Sequence, residues 1–262
     1  MSEMSREGLL MNKFTRRLVF YLGILGLWSL VATAKIWPEY IFPSPGGVLT
    51  SFTEGIRDQT FITGTLISLK RIAIGYGISV FFGMLLGFAI GRIRVLEETV
   101  GSVIVGLQTL PSVCWLPLSI LWFGLNEKAI IFVVIMGALL AITISTDSGV
   151  KQVPPIYIKA GKNMGAKGIT LLTTILLPAA LPTIIAGLKQ GWSFAWRSLM
   201  AGELLYVSLG LGQLLMMGRE LNDMSRVIAV MFVLILIGVS FDRLIFARLE
   251  TAIRERCGLS RN

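Results

Sequence analysis

Six apolar stretches, at 18–34, 72–90, 100–122, 129–147, 175–200 and 227–246, dominate the chain, and each carries few charges. A run of about 18 or more such residues crosses the roughly 30 Å hydrocarbon layer as a helix, because a helix satisfies its own backbone where no water is present. The expected fold is therefore all-α, a polytopic membrane protein of about six transmembrane helices. Apolar residues make up 54% of the 262, and the mean hydropathy of +0.77 exceeds what a soluble core of this length could hide. No internal repeat, low-complexity segment or second domain is visible, so residues 1–262 read as one transmembrane domain.

The net charge of +9 is distributed by side of the membrane. Six crossings put both termini on one face. That face receives Arg6, Lys13, Arg16, Arg17, Arg92, Arg94, Lys151, Lys159, Lys162, Lys167, Arg243, Arg248, Arg254, Arg256 and Arg261. The opposite face receives only Lys35, Arg57, Lys70, Arg71, Lys128, Arg219 and Arg226. Basic residues concentrate on the cytoplasmic side, so both termini are expected inside, and the charge is explained without nucleic acid. Arg16-Arg17 followed by an apolar run ending in "ATA" at 32–34 has the outline of a cleavable leader. Five further spans, and the external N-terminus that cleavage would create, favour an uncleaved first helix. Residues 35–64, with "FPSPGG" at 42–47 and then Glu54, Arg57 and Asp58, read as an external connection lying on the membrane surface.

Catalytic readings have little to stand on. The chain has no histidine, which removes the commonest general base and metal ligand. Cys114 and Cys257 lack metal-ligand spacing, and Cys114 is expected as a small packing residue. No catalytic, cofactor-binding or metal-binding residue is expected.

The gap between the fourth and fifth stretches, 148–174, carries four lysines and no acidic residue. Pro154-Pro155 suits a helix start, "IYIKAGKNMG" then runs about two turns, and Gly165 permits a left-handed exit. Ile156, Ala160 and Met164 recur every four residues, while Lys159 and Lys162 neighbour one another on a different face. The pattern fits a basic amphipathic helix resting on anionic headgroups, and it equally fits a docking helix for a cytoplasmic partner.

Lys159-Ala160-Gly161, three residues, Gly165, nine residues, then Ile175-Leu176-Leu177-Pro178 has the spacing of a known cytoplasmic signature. It resembles the Glu-Ala-Ala…Gly…Ile-x-Leu-Pro signature of the membrane subunits of bacterial ABC importers, with lysine for glutamate and glycine for the second alanine. "FPSPGGVL", "SLKRIAIGYGISVFFGMLLGFAIG", "LPSVCWLPLSILWFGLNEKA", "LPAALPTIIAGLKQGWSFAWRSLMAGEL" and "GLGQLL" extend the resemblance from about residue 40 to 258. Together they are similar to the permeases of nitrate, sulfonate, taurine and bicarbonate importers.

That resemblance implies a type I ABC importer permease-like bundle in a bacterial cytoplasmic (inner) membrane, paired as a homodimer. It implies two cytoplasmic ATPase subunits that carry the ATP and magnesium, and an extracytoplasmic solute-binding protein. Pro155, Ile156, Lys159, Ala160, Gly161, Lys162, Met164, Gly165, Ile175, Leu177 and Pro178 become the ATPase-coupling residues, with 148–174 as the coupling loop. Pro178 would start the next span. The solute implied is a small anion or zwitterion, an aliphatic sulfonate first, then nitrate, bicarbonate or taurine.

Six helices form too thin a bundle to enclose a polar route, which independently favours a dimer with the route near its symmetry axis. Pro111 and Pro117 in the third span, and Pro178, Pro182, Gly187 and Gly191 in the fifth, mark breaks where backbone could face that route. The two glycines serve equally as close-packing positions. Candidate pathway groups are Gln108, Thr109, Lys189, Trp192, Trp196, Arg197 and Glu203. Lys189 and Arg197 could attract an oxyanion; alternatively Arg197 pairs with Glu203, with the tryptophans as interfacial anchors. Asp147 and Asp242 are expected at headgroup level.

No Gly-x-x-x-x-Gly-Lys-[Ser/Thr] loop occurs, so the chain supplies no nucleotide site of its own. An ion-gradient-driven secondary transporter is the alternative class, but it calls for intramembrane acids and repeated halves, and only Glu203 suits such an acid. An intramembrane enzyme would have to rely on a Ser-Lys pair, to which nothing points.

Overall fold

In the computed structural model, which describes residues 13–205 and 208–256, the chain is a bundle of helices. Arg6, Cys257 and Arg261 lie outside those residues. The elements in order are α1 (Lys13–Thr33), α2 (Pro45–Arg57), α3 (Thr60–Arg92), α4 (Arg94–Gln108) and α5 (Ser112–Phe123). They continue with α6 (Glu127–Lys151), α7 (Pro155–Asn163), α8 (Gly168–Leu205), α9 (Leu211–Glu220) and α10 (Met224–Ile253). Among the described residues, α1, α3, α6, α8 and α10 are each long and apolar enough to cross a membrane.

Local sequence explains the starts. Ser44 accepts the Gly47 N–H with Pro45 at the first helical position of α2. Asn126 accepts the Lys128 N–H at the head of α6, and Asp223 accepts the Arg226 N–H at the head of α10. Between α2 and α3, Asp58 takes hydrogen bonds from the Thr60 backbone and hydroxyl, which hold its carboxyl below its ordinary value. This corner is therefore fully bonded above the unfolded carboxylate range and loosens as pH falls through the depressed value.

The centre of the bundle is α6, clasped between α3 and α8. On α3 a small residue recurs every fourth position, Gly75, Ser79, Gly83, Gly87 and Gly91, and all five face α6. A Cβ at Gly75 would stand 2.6 Å from Val134, one at Gly87 2.6 Å from the Thr143 carbonyl, and one at Gly91 3.1 Å from Val150. On the other side Gly137 meets Ser198, while Gly187 meets Ser145 and Gly191 meets Ile142. Gly187 and Gly191 are thus close-packing positions, not breaks. Without a hydrophobic force between helices in lipid, such close approach is what holds them together.

The third crossing is the irregular one. α4 and α5 meet at 96° across Thr109–Pro111. Beginning at the inner end, Lys151 of α6 pairs with Glu97 of α4 at 2.9 Å. Ile104 then packs with Leu140, and Trp122 of α5 meets Phe132, near the start of α6, edge-on while Phe123 meets it at a tilt. The bent pair thus follows α6 over 19 residues, about 29 Å at 1.5 Å per residue, which makes it one span and brings the number among the described residues to six. The break lies at Thr109–Pro111, while Pro117 sits inside the first turns of α5 without interrupting it.

Several spans outrun their apolar windows. α3 begins at Thr60 rather than 72, because Lys70 and Arg71 belong to the helix and not to an external loop. α8 begins at Gly168, with a π turn at Leu172–Leu176 ahead of Pro178, and Pro182 lies within it uninterrupted. Cys114 is exposed instead of packed. α2 lies across the outer ends of α3 and α10, burying Val48 beside Phe61 and Val230.

Gly87→Val should force α3 off α6 and cost about 1–3 kcal/mol of stability. Gly77→Ala, where an added Cβ meets nothing within 4 Å, should be neutral. Thermal unfolding of the detergent-solubilised protein checks the pair.

Candidate functional site

Three sites emerge at three depths. At the inner face α7 starts at Pro155, with Pro154 as its cap, and ends in a Schellman turn. In it Ala166 N–H donates to Gly161 O at 2.9 Å and Gly165 N–H to Lys162 O at 3.0 Å, with Gly165 at φ +88°. Gly161 is buried against the head of α8, where a Cβ would stand in the Ile175 side chain and 3.2 Å from Leu171. The small residue in place of the signature's alanine is thus what seats α7 on α8. Leu177 and Ile158 join the cluster of Val153, Leu176, Ala180 and Ile184 beneath it.

The outward side of α7 is bare. Ile156, Tyr157, Lys159, Ala160 and Lys162 are exposed, and Met164 just past the helix is 88% exposed. Tyr157, Ala160, Met164, Ile175 and Pro178 wall an open groove of about 550 Å³ between α7 and α8. Lys159 and Lys162 make no ion pair with any described residue.

At mid-depth two cavities share Arg197. One, of about 280 Å³, lies against the α4–α5 break and is lined by Gln108, Thr109, Pro111, Met136, Phe194 and Arg197 among others. The second, of about 350 Å³, is lined by Lys189, Trp192, Ser193, Trp196, Arg197, Asp242 and Phe246. The structure therefore brings together six of the seven residues singled out for the pathway. Arg197 is exposed, with its guanidinium 4.9 Å from the Phe194 ring centre and no described carboxylate within 4 Å. Lys189 instead pairs with Asp242 at 2.5 Å, which places Asp242 at the cavity wall rather than at headgroup level. Trp192 and Trp196 stack on each other, and Trp192 on Phe241 at 4.4 Å. They build this wall and are not interfacial anchors. Gln190, Ser193 and Arg197 form an exposed polar stripe on α8, with Ala186 on the same face. Such a stripe is not a lipid-facing surface, and it calls for water or another protein surface beside it.

Glu203 is the exception, and neither sequence reading of it holds. It is 0% exposed, lines neither cavity, and does not touch Arg197. Arg71, itself 2% exposed, donates from Nη1 to Glu203 at 2.9 Å and to Leu209 O, and from Nη2 to Glu127 and Ser208. Ser68 donates to Glu203, and the Gly212 N–H donates to Glu203 at 2.9 Å. One carboxylate thereby ties α3, α8 and the head of α9 together at the outer end. Counting Arg71 as a loop residue hid this partner. The signal was available, since Arg71 lies on the same helix face as the small-residue series from Gly75.

Residues 79–254 match the family described as binding-protein-dependent transport system inner membrane component. A protein of Methanocaldococcus jannaschii named as an ABC transporter permease is 39% identical over 91% of this chain and 92% of its own. The taurine transport system permease protein of Escherichia coli is 30% identical over 79% of this chain and 77% of its own. A protein of the same organism named as an aliphatic sulfonates transport permease is 31% identical, covering 84% of each. In fold, the chain is similar to the crystal structure of an amino acid ABC transporter, with a TM-score of 0.63 and 16% identity, covering 76% of this chain and 97% of that one.

Removing one partner of the buried pair, by Glu203→Gln or Arg71→Gln, should cost about 3–5 kcal/mol by stranding the other charge. The double variant should lose less than the sum of the two. Unfolding midpoints of the four proteins complete the cycle.

Proposed function

The chain belongs to the binding-protein-dependent transport system inner membrane components, the permease subunits of ABC importers, and from that premise we propose how it is driven and what it carries. Two copies pair across the polar stripe of α8, and each copy takes one cytoplasmic ATPase subunit on the bare side of α7. An extracytoplasmic binding protein delivers the solute at the outer face. ATP and its magnesium are held by the ATPase. The solute is a small oxyanion, an aliphatic sulfonate first, with taurine, nitrate or bicarbonate as the neighbouring choices; relatives named for sulfonates and taurine support this class.

The observation that carries the coupling reading is the seat of α7. Its inner side is locked on Ile175 and Leu171 through Gly161, while its outer side and the groove beside it expose apolar surface next to two lysines that pair with no described residue. A helix merely resting on headgroups would turn its apolar residues into the membrane. Here Met164 and Ile156 point away from the bundle core, which suits an apolar pocket on a partner. The lysines suit an acidic rim on that partner, the reverse of the charge the usual glutamate would present. The intramembrane acids weigh against an ion-gradient drive, since Glu203 and Asp242 are each already held by a cation.

Ala160→Arg should leave insertion intact and lower both ATPase co-purification and ATP-driven uptake by about tenfold or more, the effect of losing about 1.4 kcal/mol of docking. Pull-down and vesicle uptake with ATP, against vesicles holding only a proton or sodium gradient, measure this. Undiminished co-purification, or uptake driven by the gradient alone, would sink the proposal.

A further inference from the structure

We propose that each protomer carries, inside the membrane, a subsite for a monovalent oxyanion in the cavity between α8 and α10, and that the Lys189–Asp242 pair sets its charge preference. The inference rests on the importer reading, and it assigns solute selection to the permease as well as to the binding protein. Among the described residues, three charged side chains line this cavity: Lys189, Arg197 and Asp242. Lys189 and Asp242 neutralise one another, and Arg197 has no carboxylate partner among the described residues. The lining therefore carries one net positive charge.

The neutralised pair stands about half exposed, 44% for Lys189 and 48% for Asp242, in the interior of two membrane-spanning helices. Hydrocarbon does not tolerate charged heads there, so the cavity faces water or a second copy. Its aromatic wall is fixed. Trp192 stacks on Phe241 and meets Tyr76 edge-on at 5.2 Å, and the Tyr76 hydroxyl donates to Leu188 O at 2.8 Å. Arg197 offers a planar fork of donors matched to a sulfonate or carboxylate, and Trp192 and Trp196 offer apolar surface to a short alkyl chain. The volume, about 350 Å³, admits an alkanesulfonate. A dianion finds one uncompensated cation and meets the Asp242 carboxylate on the same wall, so it is disfavoured. A cation meets net positive charge and is excluded.

The test is a charge series on the full-length chain in lipid nanodiscs, read by tryptophan fluorescence at constant ionic strength. Ethanesulfonate, sulfate and ethyltrimethylammonium are the probes. The unaltered protein should respond saturably to ethanesulfonate, more weakly to sulfate and not to the ammonium ion. Arg197→Gln, which leaves no net charge, should lose the ethanesulfonate response. Asp242→Asn removes the one carboxylate from this cavity's described lining and should shift preference toward sulfate by about tenfold or more. The double variant Lys189→Gln with Asp242→Asn removes the ion pair but keeps the single net charge, and should keep the ethanesulfonate preference. It also keeps the test decisive if Asp242→Asn alone does not insert. An Arg197→Gln protein that titrates like the parent, or a double variant that prefers sulfate, overturns the subsite. Because no ATP is involved, that result with ATPase binding and ATP-driven uptake intact would remove the subsite alone; loss of those two activities from the parent would instead remove the importer reading.

Discussion

Close approach of three helices is the constraint on which the other features of this protein depend. In lipid, burying leucine against leucine gains little over leucine against acyl chain, so helices associate through packing, hydrogen bonds and small residues. The every-fourth-residue series from Gly75 to Gly91 lets α3 sit on α6, and Gly137, Gly187 and Gly191 do the same between α6 and α8. Polar linkages then fix the ends. Arg71 and Glu203 close the outer end, and Lys151 with Asp147 and Glu97 closes the inner one. A central trio closed at its outer end, and tied through α6 to α4 at its inner one, gives the less regular elements something to be irregular against.

That frame gives the bent third crossing its meaning. An open break at Thr109–Pro111 leaves backbone groups outside a regular helix, and at membrane depth this is tolerated only beside protein or water. The break lies against Met136, Gly137 and Leu140 of the rigid α6, with Arg197 across the cavity from it. Its polar groups and the polar stripe of α8 are therefore the part of the protomer surface least suited to lipid. One copy leaves them facing outward. Two copies facing each other would turn the same groups inward on a shared route, and α1, whose side chains are almost entirely exposed, is left for the periphery.

Legibility in the sequence follows the physics of each feature. Span number, the α7 rod and its glycine exit were readable because apolar length, Pro-Pro and Gly165 are local signals. The limits of the spans were not, because hydropathy falls at a charge whether that charge meets water or a partner. Arg71 lowers the window average as any loop arginine would, yet it is buried on Glu203, 132 residues away. Asp242 was misplaced for the same reason: its partner Lys189 lies on another helix, and pairing between helices leaves no trace in a single run of residues. Gly161 was visible as a departure from the signature, but its purpose depends on Ile175 standing where a methyl group would go.

The seat at Gly161 also determines what a force on α7 can do. A loosely tethered rod would absorb displacement in its own linkers. This one is keyed into the head of α8 at Ile175, on a helix that continues without a break in its α-helical part from Leu177 to Leu205. Lys189 lies 14 residues beyond that contact and Arg197 22 residues beyond it, about 21 Å and 33 Å along the axis. If a partner moves α7, the side chains that line both mid-depth cavities move with it as one lever. The outer end of that lever is pinned to α3 through Glu203, so the motion available to it is a tilt about the Arg71–Glu203 knot and not a slide. Ile175 itself lies in the π turn at Leu172–Leu176, ahead of Pro178, so the point where α7 is keyed is also the point where α8 can yield. The seat of α7 and the cavities are thus two positions on one helix, and the position of its fixed point follows from a buried ion pair that has no part in either.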